Sequence, residues 1–314
     1  VSELPSLRGL EDRISTFLFI LFLFVAVRIY EPFSKACEML GELIFSLVSA
    51  GRIGTILHYP EQTGTADYPL EQFDITFDHV SFGYNEDDVI HDVSFTARQG
   101  EITALVGPSG CGKTSVLSML AGLIAPSAGQ LTIEGGRPGY MLQRDHLLDW
   151  RTIEGNIVLG LQVQGRLNPE TREKAMALLE TYGLADFAKS YPGQLSGGMR
   201  QKVALIRTLA CSPDLLLLDE PFSALDYQTR LTLGDEIHGI LRREGKTAVL
   251  VTHDIAEAIS MSDRVLVFSS RPARLKDTHS IVLSGPDSPI QRRNAPEFKD
   301  YFDAIWKELD RHDQ

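Results

Sequence analysis

Gly107-Pro108-Ser109-Gly110-Cys111-Gly112-Lys113-Thr114 is a complete G-x-x-x-x-G-K-[ST] phosphate loop. Its glycines at 107, 110 and 112 let the backbone curl so that successive N–H groups point at phosphate oxygens, with a helix N-terminus behind them. Lys113 can then reach the β- and γ-phosphates of a nucleoside triphosphate, and the Thr114 hydroxyl can ligate Mg²⁺. Downstream, Leu215-Leu216-Leu217-Leu218 ends in Asp219 and Glu220. Four apolar residues bury a strand, Asp219 emerges where it can hold the magnesium shell, and Glu220 emerges where it can orient a water. Phosphoryl transfer asks a protein chiefly for a positioned nucleophile and neutralised charge at the γ-phosphate. Glu220 is the candidate for the first task. His253, after Val251-Thr252, is the candidate for the second, an ordinary surface or capping histidine being the other reading.

The flanking sequence supplies elements to position these groups. Phe73, Ile75, Phe77 and Val80 alternate, Val93-Ser94-Phe95 continues the strand pattern, and Ile102 to Val106 runs directly into the loop. Ser115 to Leu123 leaves it with helix-forming apolar residues, so the motif sits in the expected strand, loop, helix context. Leu215 to Leu218, Ala248 to Val251 and Val265 to Phe268 are continuous apolar runs, as in parallel strands covered on both faces. An α/β fold of the P-loop NTPase type follows. Asn168-Pro169 offers a helix cap and a first-turn proline, and Gly183 is placed to stop that helix. Residues 144–199 therefore read as a helical subdomain inserted into a domain spanning 73–285. In the tail, 286–314, Phe298, Tyr301, Phe302, Ile305, Trp306 and Leu309 share one helical face and predict a docked terminal helix.

The chain has 314 residues, and 43% hydrophobic with 23% charged is ordinary globular composition. A net charge of -12 disfavours a nucleic-acid partner, because backbone phosphates are held mainly by Lys and Arg. Cys37, Cys111 and Cys211 are odd in number without Cys-x-x-Cys spacing, which fits a reducing compartment. Residues 1–60 differ in texture: Ile14 to Val27 is an apolar run, and Phe33, Ala36, Cys37, Leu40, Leu43, Ile44, Leu47 and Val48 mark an amphipathic helix after Glu31-Pro32. The run is short of the roughly 20 residues a bilayer span needs, so it reads as a truncated membrane helix or a buried core helix. Residues 61–72, punctuated by Gly and Pro, read as a linker.

Taken together, these residues resemble the nucleotide-binding domain of an ATP-binding cassette (ABC) transporter over about Phe73 to Leu283. The resemblance implies ATP and Mg²⁺ as cofactors, with Gly107, Ser109, Gly110, Cys111, Gly112, Lys113, Thr114 and Ser115 around the phosphates. Tyr84 in Ser-Phe-Gly-Tyr is similar to the aromatic that stacks on adenine. Gln143 resembles the glutamine that senses magnesium and the membrane subunit, which puts it with Thr114 and Asp219 as a metal residue. Lys113, Glu220 and His253 would be catalytic, Thr252-His253-Asp254 resembling the switch histidine and Ser223-Ala224-Leu225-Asp226 the loop between the two sites. Leu195-Ser196-Gly197-Gly198 resembles the family signature, which contacts ATP bound to the opposing subunit. A second cassette, in a homodimer, is the implied partner. Met199 stands where many members have Gln, and Gln201 nearby does not simply take that role.

Gly139 to Leu148, Leu195 to Leu209 and Glu220 to Asp226 resemble the ATPase subunits of bacterial nitrate, sulfonate and taurine importers. That implies separate permease subunits, a substrate-binding protein, and a peripheral place on the cytoplasmic face of the membrane. An integral anchor through residues 14–30 is the alternative. Arg28 to Phe33, the Arg52-containing helix end and Phe73 to Tyr84 instead resemble an ABC exporter, suggesting an exporter-like front of about 100 residues joined at the phosphate loop to an importer-like rear. Under the exporter alternative the chain is the cassette half of a fused transporter. A non-transport ABC ATPase is disfavoured by the compact insert, the single cassette and the acidic charge.

Overall fold

The computed structural model describes residues 5–57, 74–84, 87–133, 137–223 and 225–310. The chain divides into two compact units, Val1–Asp67 and Tyr68–Gln314. The linker expected over 61–72 lies outside the described residues.

In the first unit a single helix, α1 (Pro5–Leu57), runs through Pro32, where the sequence pattern suggested a division into two elements. Proline removes one backbone donor, and here the helix continues past it. Phe33, Leu40, Leu47 and Val48, expected on an apolar face, are exposed, as are the apolar side chains from Leu18 to Val25. Ala36, Cys37, Leu43 and Ile44 lie outside the described side chains. Among the described residues no helix is long and apolar enough to cross a membrane, so an anchor through residues 14–30 has no support. The physical reason is length: Ile14 to Val27 covers only about 21 Å of helix at about 1.5 Å per residue, against a hydrocarbon core of about 30 Å.

The second unit begins with an antiparallel sheet of β1 (Ile75–Tyr84), β2 (Asp87–Ala97) and β4 (Ala128–Ile133), in the order β2-β1-β4. Between these strands in sequence come β3 (Ile102–Val106), the glycine loop and α2 (Lys113–Leu120). A six-stranded sheet is ordered β5-β6-β7-β3-β8-β9, where β5 is Pro138–Met141, β6 Leu215–Asp219, β7 Thr247–Val251, β8 Arg264–Phe268 and β9 Leu275–Ser280. Its first five strands are parallel, and β9 closes the edge antiparallel.

Strand periodicity explains the two-sided core. Successive side chains alternate faces, so Leu215 and Leu217 pack with Val249, Val251, Leu266 and α2 on one side. Leu216 and Leu218 pack with Ala248, Leu250, Val265 and Val267 on the other. There they meet α7 (Tyr227–Arg243), α8 (Ile255–Met261) and the terminal α10 (Phe298–Asp310), which follows the short α9 (Pro289–Arg292). Phe298, Tyr301, Phe302, Ile305 and Leu309 of α10 pack as expected, whereas Trp306 stays exposed and stacks on Phe302 at 6.2 Å.

Within 144–199 lie α3 (Ile153–Ile157), α4 (Leu159–Val163) and α5 (Pro169–Thr181), while α6 (Gly197–Ala210) begins at the end of that range and runs past it; together they surround a third apolar cluster. Asn168 caps α5 by accepting from Thr171 N at 2.8 Å, Pro169 opens it, and Gly183 follows its end at φ +68°. Helix α6 serves two cores at once. Val203 and Ile206 face the insert, while Ala204, Leu205 and Leu209 face the sheet, so the insert and the sheet share one rigid element.

Candidate functional site

The glycine loop turns where β3 ends and α2 begins. Gly110 and Gly112 adopt φ of +76° and +117°, a region that costs side-chain-bearing residues strain. A Cβ on Gly112 would also lie 2.9 Å from Val89 Cγ1. Lys113 is buried, and its Nζ donates to the carbonyls of Gly107 at 2.7 Å and Pro108 at 2.9 Å. The ammonium is thereby stationed inside the curl of the loop. Cys111 packs beneath it among Val116 and Leu117 in the apolar core.

A cleft of about 560 Å³ opens over this loop. Ser109, Gly110, Gly112, Lys113, Thr114 and Ser115 line it, joined by Tyr84, Gln143, Glu220 and His253 from distant parts of the sequence. Tyr84 is exposed at its rim and meets Phe82 edge-on at 4.9 Å. Gly107 and Cys111 are not among the lining residues; they shape the loop from below.

Asp219 ends β6 and is nearly buried. Thr114 Oγ1 donates to its Oδ1 at 3.3 Å and the Tyr140 hydroxyl donates to Oδ2 at 3.5 Å. Burial pushes the Asp219 carboxyl above its ordinary range, outweighing those two hydrogen bonds and the Lys113 charge. The Tyr140 phenol is likewise raised to about 12, by burial and then by the Asp219 charge. A divalent cation would relieve the cost of the buried carboxylate. The local donors, a hydroxyl, a carboxylate and an amide, are the hard oxygen ligands Mg²⁺ prefers. The residues present therefore fit that ion.

Glu220 begins the turn after β6 at φ +44°, with its N–H held by the Val251 carbonyl at 2.9 Å. Gln143 Nε2 donates to Glu220 Oε2 at 3.1 Å, and His253 Nδ1 lies 3.4 Å from the same oxygen. Two residues far apart in sequence, Gln143 and His253, thus converge on one carboxylate oxygen of Glu220 at the cleft.

Ser196 caps α6, accepting from Met199 N at 3.3 Å, and Leu195 is buried. Leu195, Ser196, Gly197 and Gly198 do not line the cleft of their own chain. Gln201, to which the sequence assigned no role, is buried and donates through Nε2 to the Gln143 carbonyl at 3.4 Å. Two further residues escaped sequence reasoning. Tyr140 reaches Asp219 across neighbouring strands β5 and β6, and Arg271 lines the cleft while its Nε donates to the Asp88 carbonyl at 3.2 Å. No local spacing links Arg271 to the phosphate loop; the adjacency of β8 and β3, with the bonds of Ala273 to Val89 and His91 of β2, brings its loop there.

The model of the ABC transporter family matches residues 90–223. The chain is 47% identical over 244 residues to YtlC of Bacillus subtilis, an uncharacterized ABC transporter ATP-binding protein, covering 74% of this chain and 94% of that one. It is 42% identical to the aliphatic sulfonates import ATP-binding protein SsuB 1 of Rhodococcus jostii, over 60% of this chain and 76% of that one. Identity to the nitrate import ATP-binding protein NrtD of Synechocystis is 36%, over 69% of this chain and 86% of that one. Those 69% exceed the stretch from Ser115 to Gln314, so the NrtD match extends across the phosphate loop into the residues before it. Among solved structures, the dimeric bacterial ABC transporter cassette MJ0796 superposes with a TM-score of 0.59 at 28% identity, covering 66% of this chain and 99% of that one.

Proposed function

Because the chain belongs to the ATP-binding proteins of ABC transporters, we propose that it hydrolyses ATP within a closed pair of cassettes and powers import of a nitrate-, sulfonate- or taurine-type molecule through a separate permease. The observation that carries this reading is the convergence of Gln143, Glu220 and His253 on the cleft above Lys113 and Thr114. Lys113 neutralises phosphate charge, Glu220 orients the attacking water and takes its proton as general base, and His253 meets the γ-phosphate. Thr114, Asp219 and Gln143 would hold Mg²⁺, which supplies charge neutralisation at the phosphates when bound. Tyr84 packs on the base at the rim.

The import direction is supported by relatives named for sulfonate and nitrate import. The partners of this reading are a second copy of the chain, a permease and a substrate-binding protein, with the cassette peripheral on the cytoplasmic face of the membrane. One observation favours the exporter-type alternative: α1 exposes a long row of apolar side chains from Leu18 onward. Genes for a permease and a binding protein beside this one are expected for import; a run of membrane-helix sequence upstream in the same gene would favour export. The biochemical test is phosphate release from ATP by the purified protein with and without Mg²⁺. Failure to bind adenine nucleotide, or full turnover by a strict monomer, would overturn the proposal.

A further inference from the structure

Arg230 joins the two segments that flank the reaction centre. It lies in the first turn of α7, which Asp226 caps by accepting from Thr229 N at 3.0 Å. Arg230 Nη2 donates to the Leu225 carbonyl at 3.3 Å, and Nη1 donates to Asp254 Oδ2 at 3.3 Å. Asp254 directly follows His253, and its other oxygen caps α8 by accepting from Glu257 N at 3.1 Å. At the opposite end, Leu225 N donates to the Phe222 carbonyl at 3.1 Å. Ser223 donates through N and Oγ to the Glu220 carbonyl, at 3.2 Å and 3.1 Å. The contact between His253 and Glu220 closes a ring: Glu220, the turn to Leu225, Arg230, Asp254, His253 and Glu220 again.

We propose that Arg230 is a positioning residue for ATP cleavage, holding Asp254 against the Leu225 carbonyl and so fixing His253 relative to Glu220. Glu220 sits at positive φ, a conformation that persists only where its surroundings over-determine it. The turn that follows it therefore has to be tied down, and Arg230 is the side chain that ties it to the His253 segment. A guanidinium suits the task because its planar fork serves a carbonyl and a carboxylate in two directions at once, whereas an ammonium is a point charge on a flexible stem. The side chains of Arg230 and Asp254 are only 23% and 29% exposed, so salt screens the pair less than it would a surface pair. Arg230 Nε is buried without a hydrogen-bond partner among the described residues, leaving the two Nη bonds to set the orientation. The inference rests on the reading that Glu220 and His253 act on ATP.

The test is steady-state ATPase kinetics and ATP binding for Arg230→Met, Asp254→Asn and the double variant. Asn keeps the acceptor that caps α8 and removes the charge. Misplacing a reacting group by about 1 Å can cost about a hundredfold in rate. Each single variant is accordingly expected to lower kcat at least about tenfold with ATP affinity unchanged, and the double variant to be no slower than the worse single one. An Arg230→Met kcat close to that of the unaltered protein, a rise in KM alone, or a double variant slowed by the product of the single effects would each overturn the inference. Should Arg230→Met not fold, Arg230→Lys serves: partial activity is expected, and full activity overturns the two-way clamp. An unaltered protein without ATPase activity, or an active Glu220→Gln, would instead overturn the functional reading beneath it.

Discussion

Glu220→Gln isolates the proposed chemistry from the fold. The side chain keeps its shape, and the amide oxygen can still accept from Gln143 Nε2, which now donates to Glu220 Oε2 at 3.1 Å. What is lost is the charge facing His253 at 3.4 Å across a half-exposed pair, a contact of the kind that contributes at most about 1 kcal/mol. Stability is therefore expected to change by less than about 1 kcal/mol. Turnover should respond very differently, because an amide cannot take a proton from the attacking water. General-base contributions are typically about 10²- to 10⁴-fold, or about 3 to 5.5 kcal/mol on the barrier at about 1.4 kcal/mol per tenfold. Phosphate release at saturating ATP and Mg²⁺ should fall by that factor, while calorimetric ATP affinity stays near that of the unaltered protein because the loop and Lys113 are untouched. Turnover within about threefold of the unaltered protein would refute the role of Glu220, and so would an equal loss of affinity and rate.

Ser196→Arg should leave ATP binding intact, since Ser196 does not line its own cleft, while removing the α6 cap at a cost of about 1 kcal/mol. An ATP-stabilised dimer of this variant in sizing chromatography would count against the signature's role across the pair. Glu257 behaves differently with pH. Burial raises its carboxyl to about 7 from 4.5, so the folded protein keeps a proton that the unfolded chain releases between those values. Stability should fall as pH rises through that window, by at most about 3 kcal/mol, and level off above it. Denaturant midpoints at pH 5 and pH 7.5 should differ less for Glu257→Gln than for the unaltered protein; equal differences would refute the assignment.

The strands and the phosphate loop were legible because their signals are local. Leu215 to Leu218 and Ala248 to Val251 are short apolar runs bounded by polar residues, and each forms a buried strand. Asn168-Pro169 likewise announced a helix start that the backbone adopts. The α1 pattern misled because proline suggested a boundary, and composition alone does not say whether one turn lacking a donor will break a helix. Contacts made across the fold left no local trace. Arg230 carries no signal of its own in the sequence, and its reach to Asp254 exists because α7 and α8 pack together. Gln201, which its position in the sequence left without a role, is a buried support for the Gln143 backbone.

The division of labour between the two cores bears on how a second copy would act. Leu195 to Gly198 stand at the start of α6, and α6 packs through Val203 and Ile206 into the helical insert and through Ala204, Leu205 and Leu209 into the sheet. A force applied to Ser196 by a partner's nucleotide would therefore reach both the helical insert and the sheet through one helix. Gln201, on that same helix, holds the carbonyl of Gln143, and the Gln143 side chain holds Glu220. The helix that carries the signature-like residues and the carboxylate proposed to orient water are thus connected within each chain through Gln201 and Gln143. In the proposed pair, ATP in one cleft would pull on the α6 whose own chain carries the opposite cleft, and on that reading cleavage at each centre would depend on occupancy of the other.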